Sequence, residues 1–312
     1  MRRERTLTAA VIALLLAGFG AVQTGVLPLA PIAGAVLQVG GNLAVPPLTD
    51  PAMIRRGAVH YDLVCATCHA SPAALLRGDA LRLTPPAPKL HRRRDDWLPE
   101  VAFLTVKHGV RNTAMPAWPA RDRDDEVWAM VAFLLVLPDL APPEYRALAG
   151  LDISAPPGQQ TCVRCHDGAA PRLDLQTPDY LADSLRAFRG GTRQSGFMHD
   201  AAAPLSDISL TTLARALGQG PQEQPPAPPE AAICAACHGP TTLARPAFPR
   251  LQGLTAAYLE TQLRLFTAED FTRGGGPYVD LMREAVRDLT EDQISTAAHW
   301  YAPTDGKVSP TR

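Results

Sequence analysis

Cys65-Ala66-Thr67-Cys68-His69 is one of three copies of a single pattern, the others being Cys162-Val163-Arg164-Cys165-His166 and Cys234-Ala235-Ala236-Cys237-His238. Two thiols separated by two residues and followed at once by an imidazole suit the attachment of a c-type haem. The thiols form thioethers with the porphyrin vinyl groups, and the spacing makes one tight turn that sets both sulfurs along one edge of the ring. The adjacent histidine then reaches the iron from the proximal side. Zinc or dithiol redox chemistry would use the same residue types. All six cysteines of the chain, however, lie in these motifs. Zinc sites need C-x-x-C halves in pairs, and three do not pair. The reading is three covalently bound haems c on Cys65, Cys68, Cys162, Cys165, Cys234 and Cys237, with His69, His166 and His238 on the irons.

The segments that must position these groups repeat as well. After each motif comes a proline, a basic residue and a leucine: Pro88-Lys89-Leu90, Pro171-Arg172-Leu173 and Pro249-Arg250-Leu251. Seven residues after each leucine stands an aromatic followed by leucine, at Trp97-Leu98, Tyr180-Leu181 and Tyr258-Leu259. Met115 and Met198 follow their aromatics by 18 residues, and Met282 follows Tyr258 by 24. Leu205-Ser206 and Leu289-Thr290 then open helical patterns. Asp124 is a candidate cap for a helix ending before Pro138, Thr255 for one through Phe266, and Thr290 with Gln293 forms a capping box. No stretch alternates as a strand would, so the fold class is all-α.

With 312 residues the chain is long enough for two or three domains. Aromatics make up only 6% and there are 31 prolines. Small haem domains account for both, because the porphyrin supplies apolar core that so small a domain lacks. The net charge of −1 omits the haem propionates, so the loaded protein is acidic, and no nucleic-acid partner is indicated. The run Arg92-Arg93-Arg94 is followed by Asp95-Asp96 and reads as a solvated loop.

Arg2, Arg3 and Arg5 precede an apolar run from about Ala9 to Val22. This is an export pattern, read either as an uncleaved anchor or as a signal peptide cut near Ala33-Gly34-Ala35. The anchor is preferred because apolar residues continue to Leu37 and the small-residue site lies far downstream. The arginines would then stay in the cytoplasm. In bacteria covalent haem attachment takes place outside the inner membrane, which agrees with a periplasmic location. The expected organisation is a signal-anchor or signal peptide with linker at 1–44, then domains at 45–147, 148–221 and 222–312, the last entered through a proline-rich spacer at 222–230. Pro142, Pro143, Pro156, Pro157 and Gly158 read as the join between the first two.

The chain resembles class I cytochromes c in three tandem copies. The first copy carries Ile54-Arg55-Arg56-Gly57-Ala58-Val59-His60-Tyr61 running into Cys65, and a Gly109…Met115-Pro116 loop similar to the family's axial loop. The second and third resemble the halves of periplasmic di-haem cytochromes. The resemblance covers about residues 50–303. It implies Met115, Met198 and Met282 as distal iron ligands, with His199 the rival of Met198. It also implies that the carbonyls of Pro88, Pro171 and Pro249 accept the hydrogen bond of the proximal histidines. Met53 and Met130 read as packing residues, and His60, His91, His108 and His299 as surface or hydrogen-bonded residues. The second and third copies have prolines where the family's first helix belongs, so they must lean on each other or on the first.

Iron ligated on both faces has no open position for substrate. The function that follows is single-electron transfer, not catalysis, between a membrane donor and an acceptor. The donor would be a quinol-oxidising complex or a dehydrogenase, and the acceptor a terminal oxidase or soluble cytochrome. Two alternatives stand beside it: the cytochrome subunit of a membrane-bound alcohol- or sugar-oxidising dehydrogenase, and a haem enzyme or gas sensor with one open iron.

Overall fold

A computed structural model describes residues 43–74, 80, 82–92, 98–219, 232–239, 247–269 and 271–302. Among these the chain is helical, with two isolated bridges and no β-strand. The apolar run at 9–22, and with it the choice between anchor and signal peptide, lies outside the described residues. So do Trp97 and the spacer at 222–230. Among the described residues no helix is long and apolar enough to cross a membrane.

Helix α1 (Pro51–His60) starts at Asp50, whose carboxylate accepts from the Ala52 and Met53 N–H groups. Pro51 occupies the first position, where its missing N–H leaves nothing unpaired. The helix continues through a π turn, Tyr61–Cys65, into α2 (Ala66–His69). The first motif therefore ends one unbroken helical stretch. Next come α3 (Pro99–His108) and α4 (Asp124–Val136). α1 crosses α4 at Gly57, where a Cβ would stand 2.2 Å from the Ala129 carbonyl oxygen and 2.7 Å from Phe133 Cβ. Around this crossing Tyr61, Phe103, Trp128, Met130, Val131, Phe133, Leu137 and Tyr145 form the largest core cluster.

Two expectations change in this region. Asp124 does not cap α4; it is the first helical residue and its carboxylate pairs with Lys107 Nζ at 2.5 Å. Pro142 and Pro143 are not part of a linker but open α5 (Pro142–Leu148). Proline is tolerated in the first turn of a helix, so a proline pair marks a helix start as readily as a spacer.

The second motif lies on α6 (Gln160–His166), followed by α7 (Pro178–Arg189), α8 (Gly196–Ala202) and α9 (Asp207–Leu217). The third lies on α10 (Ala232–His238), followed by α11 (Ala256–Thr267), α12 (Val279–Val286) and α13 (Glu291–Tyr301). α7 packs on α9 and α11 on α13. Side-chain caps begin five of these helices: Thr177, Ser195, Ser206, Thr255 and Thr290 each accept from a backbone N–H three residues on, and Gln293 returns the bond to Thr290. The aromatic-leucine repeat is not structurally uniform. Leu181 and Leu259 lie inside helices and are 6% exposed, whereas Leu98 sits at the cap of α3 and is 47% exposed.

α6 has no long helix before it. Its place is taken by α1, which packs on α4, α5 and α6. The third motif region is completed from the second. Leu175 is buried against Leu254, Leu259, Ala298 and Tyr301, and Gln176 exchanges two 2.9 Å hydrogen bonds with the backbone N–H and C=O of Arg250.

Candidate haem sites

Each motif occupies the end of a helical turn with its histidine last, so both cysteines and the imidazole project from one short rigid stretch. Each histidine is oriented in the same way. Nδ1 of His69 donates to the Pro88 carbonyl at 2.8 Å, His166 to Pro171 at 2.5 Å and His238 to Pro249 at 2.8 Å. The bond fixes the tautomer with the proton on Nδ1 and leaves the Nε2 lone pair for a metal. Burial pushes all three imidazoles below the ordinary histidine range, opposed by the proline carbonyl, so they are neutral at neutral pH.

The thiols do not have the character of a redox dithiol. Reactive C-x-x-C cysteines have depressed pKa values. Here burial pushes Cys65 up to about 12 and Cys165 up to about 11, and raises Cys162 and Cys234. No disulfide is formed. Among the described residues no three His, Cys, Asp or Glu side chains converge on a bare-ion site.

The three methionines occupy different settings. Met115 lies in the loop between α3 and α4, half-buried. That loop is closed by Val110 N–H to the Met115 carbonyl (3.2 Å), Trp118 N–H to the Lys107 carbonyl (3.1 Å) and Met115 N–H to Thr113 Oγ1 (3.1 Å). Gly109, at φ 66°, packs so closely on the Met115–Ala117 backbone that a Cβ would come within 2.6 Å. Met198 and Met282, by contrast, lie on short helices, α8 and α12, both half-buried. The Nδ1 of His199, the rival of Met198, lies 3.3 Å from the Phe188 carbonyl.

The regions around the motifs are joined by buried polar groups that the sequence did not single out. Arg55 donates to the Asp167 and Arg164 carbonyls and Arg56 to the Ala169 carbonyl. Arg164 returns to Asp62 at 2.6 Å and to the Ala149 carbonyl. His60, expected at the surface or in a hydrogen bond, is buried between the rings of Trp118 and Phe197 at centroid distances of 5.0 and 4.9 Å. Between the second and third regions the backbones meet at Arg193 and Gly274. Arg193 lies over Phe188 and Arg273 over Phe266, both guanidinium groups buried. Neither has a carboxylate partner among the described residues: Arg193 donates to Tyr180 and Ser184, and Arg273 to Gln262 and the Gly274 carbonyl. Two buried guanidinium groups brought together favour an anionic neighbour, and haem carries two carboxylates. With the fixed imidazoles, the residues present fit haem c.

Comparison with known proteins agrees with this donor set. Residues 52–134 match the family described as cytochrome c oxidase, cbb3-type, subunit III. The chain is 31% identical over 188 residues to the thiosulfate dehydrogenase electron acceptor of Thiomonas intermedia (strain K12), covering 51% of this chain and 84% of that protein. It is 31% identical over 182 residues to the protein of the same name from Stutzerimonas stutzeri (strain A1501), covering 47% and 81%. It is 27% identical over 197 residues to cytochrome c4 of Thiocapsa roseopersicina, covering 57% and 96%. No solved structure matches.

Proposed function

This chain belongs to the c-type cytochromes, proteins of electron transfer with covalently held haem, and from that premise we propose a periplasmic tri-haem carrier that passes single electrons between a dehydrogenase and a respiratory acceptor. Cys65 and Cys68, Cys162 and Cys165, and Cys234 and Cys237 each hold one haem. His69, His166 and His238 ligate the irons on one face, and Met115, Met198 and Met282 on the other. Three domains, at 45–147, 148–221 and 222–312, each carry one haem. The observation that carries the reading is the threefold recurrence of a motif histidine whose Nδ1 is held by a proline carbonyl.

Bound haem supplies a one-electron couple; the protein sets its potential, orientation and access. The proline carbonyls hold each imidazole in one tautomer and raise its basicity as a ligand. The core around Tyr61, Phe103 and Phe133 packs apolar surface against Cys65, and that around Leu175, Leu254 and Tyr301 does so against Cys234. Two relatives are named as electron acceptors of thiosulfate dehydrogenase, which favours an enzyme oxidising a sulfur oxyanion as the donor over one oxidising an alcohol or sugar.

The test is an optical redox titration of the fully matured protein, followed by carbon monoxide addition to the reduced sample. Three low-spin haems that bind no carbon monoxide support the reading. A fraction near about one third that binds it would mean one open iron, and would favour a haem enzyme or gas sensor. In the same sample, rapid reduction by a thiosulfate dehydrogenase with thiosulfate supports the sulfur-linked donor. Reduction only by an alcohol or sugar dehydrogenase would replace it.

A further inference from the structure

A glutamate in the first turn of a helix ordinarily faces water, where it favours the helix dipole. Glu126 is in the first turn of α4 and is 3% exposed. Its carboxylate is held by groups from both sides of the boundary between the first and second motif regions. Oε1 accepts from Ser195 Oγ at 2.5 Å and pairs with Arg123 at 3.0 Å. Oε2 accepts from the Gly196 N–H at 2.6 Å and Trp118 Nε1 at 3.2 Å. Two charge-assisted bonds per oxygen leave little acceptor capacity unused.

Three of these partners belong to the methionine-bearing segments. Ser195 is the N-cap of α8, and its Oγ also accepts from the Met198 N–H at 3.1 Å. Gly196 is the first residue of α8 and is seated on the Trp118 ring, where a Cβ would fall 2.4 Å from Nε1. Trp118 closes the Met115 loop through its backbone N–H to Lys107. Arg123 adds a bond from its guanidinium to the Gln194 carbonyl at 2.8 Å, just ahead of α8. One carboxylate thus fixes the start of the helix carrying Met198 and the indole three residues beyond Met115.

We propose that Glu126 is a positioning residue shared by the first and second haem sites, setting the Met115 loop and α8 together so that axial ligation at the two irons is interdependent. The proposal rests on the reading of Met115 and Met198 as iron ligands.

The experiment uses full-length protein with three haems. In each variant the sulfur-to-iron absorption band of the oxidised form and the fraction of reduced haem binding carbon monoxide are measured. Met115→Ala and Met198→Ala each remove about one third of the band and open about one third of the haem. Glu126→Ala is expected to remove between about one third and two thirds, although it replaces no ligand. Glu126→Gln keeps the volume and one acceptor oxygen and gives a smaller loss. Arg189→Met removes the bonds from α7 to the Leu205 carbonyl and Asp207, loosens the second region away from its motif and from Glu126, and leaves the band intact, which separates positioning from general loosening. If Glu126→Ala retains the whole band, or if Arg189→Met loses as much, the proposal is wrong and the ligand reading stands. Should Glu126→Ala fail to mature, a Glu126→Gln protein with an unchanged band overturns it. If the two methionine variants themselves keep the band, the ligand reading has failed and the proposal falls with it.

Discussion

Around the first motif a ten-residue helix runs directly into the cysteines and is clamped to α4 at Gly57. Around the second, the motif helix begins only two residues before Cys162, and the chain ahead of it is turns and Pro156-Pro157-Gly158. Both motifs nevertheless end in a histidine held by a proline carbonyl. The second region reaches that geometry by packing on the first region's helix, through α1 on α6 and the Arg55, Arg56 and Arg164 bonds. The third takes Leu175 from the second. The difference shows that a repeated sequence need not make repeated independent cores. Short haem-binding units can share one scaffold helix and donate single side chains to a neighbour.

The largest effect should come from the scaffold helix. Gly57→Val places a branched side chain where the Ala129 carbonyl and Phe133 already stand. Overpacking of this kind costs about 3 kcal/mol or more. Because α1 serves two regions, the expectation is a fall in melting temperature together with lost covalent haem at both the first and second motifs. Loss confined to the first would break the comparison by showing that α6 does not depend on α1. Leu175→Ala removes the side chain donated to the third region and should cost about 3 kcal/mol. In urea its effect should be greatest on absorbance from the third haem, although the residue belongs to the second repeat. Next, Gln176→Leu removes the paired bonds to Arg250 and leaves that residue's backbone groups unmatched, at about 2 kcal/mol. It too should loosen the third region more than the first.

The motif arithmetic already contained the cofactor. The repeat alignment singled out Pro88, Pro171 and Pro249, and the resemblance to class I cytochromes c implied their carbonyls as the histidine partners that the structure shows. Caps at Thr255 and Thr290 were legible locally. The boundaries between regions were not. Arg55, Arg56 and Glu126 carry charges that a single sequence assigns to solvated faces, and only tertiary placement reveals that they meet carbonyls and N–H groups 70 to 113 residues away. Arg193 and Arg273 are equally silent in sequence, since their acceptors, Tyr180 and Ser184 for one and Gln262 for the other, lie back on the preceding helix at no spacing that a motif would reveal. Pro142 and Pro143 misled because proline marks spacers and helix starts alike.

His60 gives the smallest and most specific way to sharpen the contrast, because it ends α1 and touches both regions, Trp118 on one side and Phe197 on the other. Burial depresses its pKa to about 4, against 6.5 for a free imidazole. Between those values the unfolded chain takes up a proton that the folded chain refuses. Its contribution is therefore whole above about pH 6.5 and is lost progressively as the pH falls towards 4. Asp200 lies 3.7 Å from Nε2 and would recover part of the loss once the ring is charged. At pH 5.5 the net cost should be about 1 kcal/mol relative to neutral pH. His60→Phe keeps the ring contacts and removes the titration, so the difference in urea midpoint between pH 7 and 5.5 should shrink in the variant. The shrinkage should show in absorbance from the first and second haems and leave the third unchanged. An equal shrinkage at all three would mean that the boundary around His60 governs the whole chain, and that the third region depends on it as closely as the second.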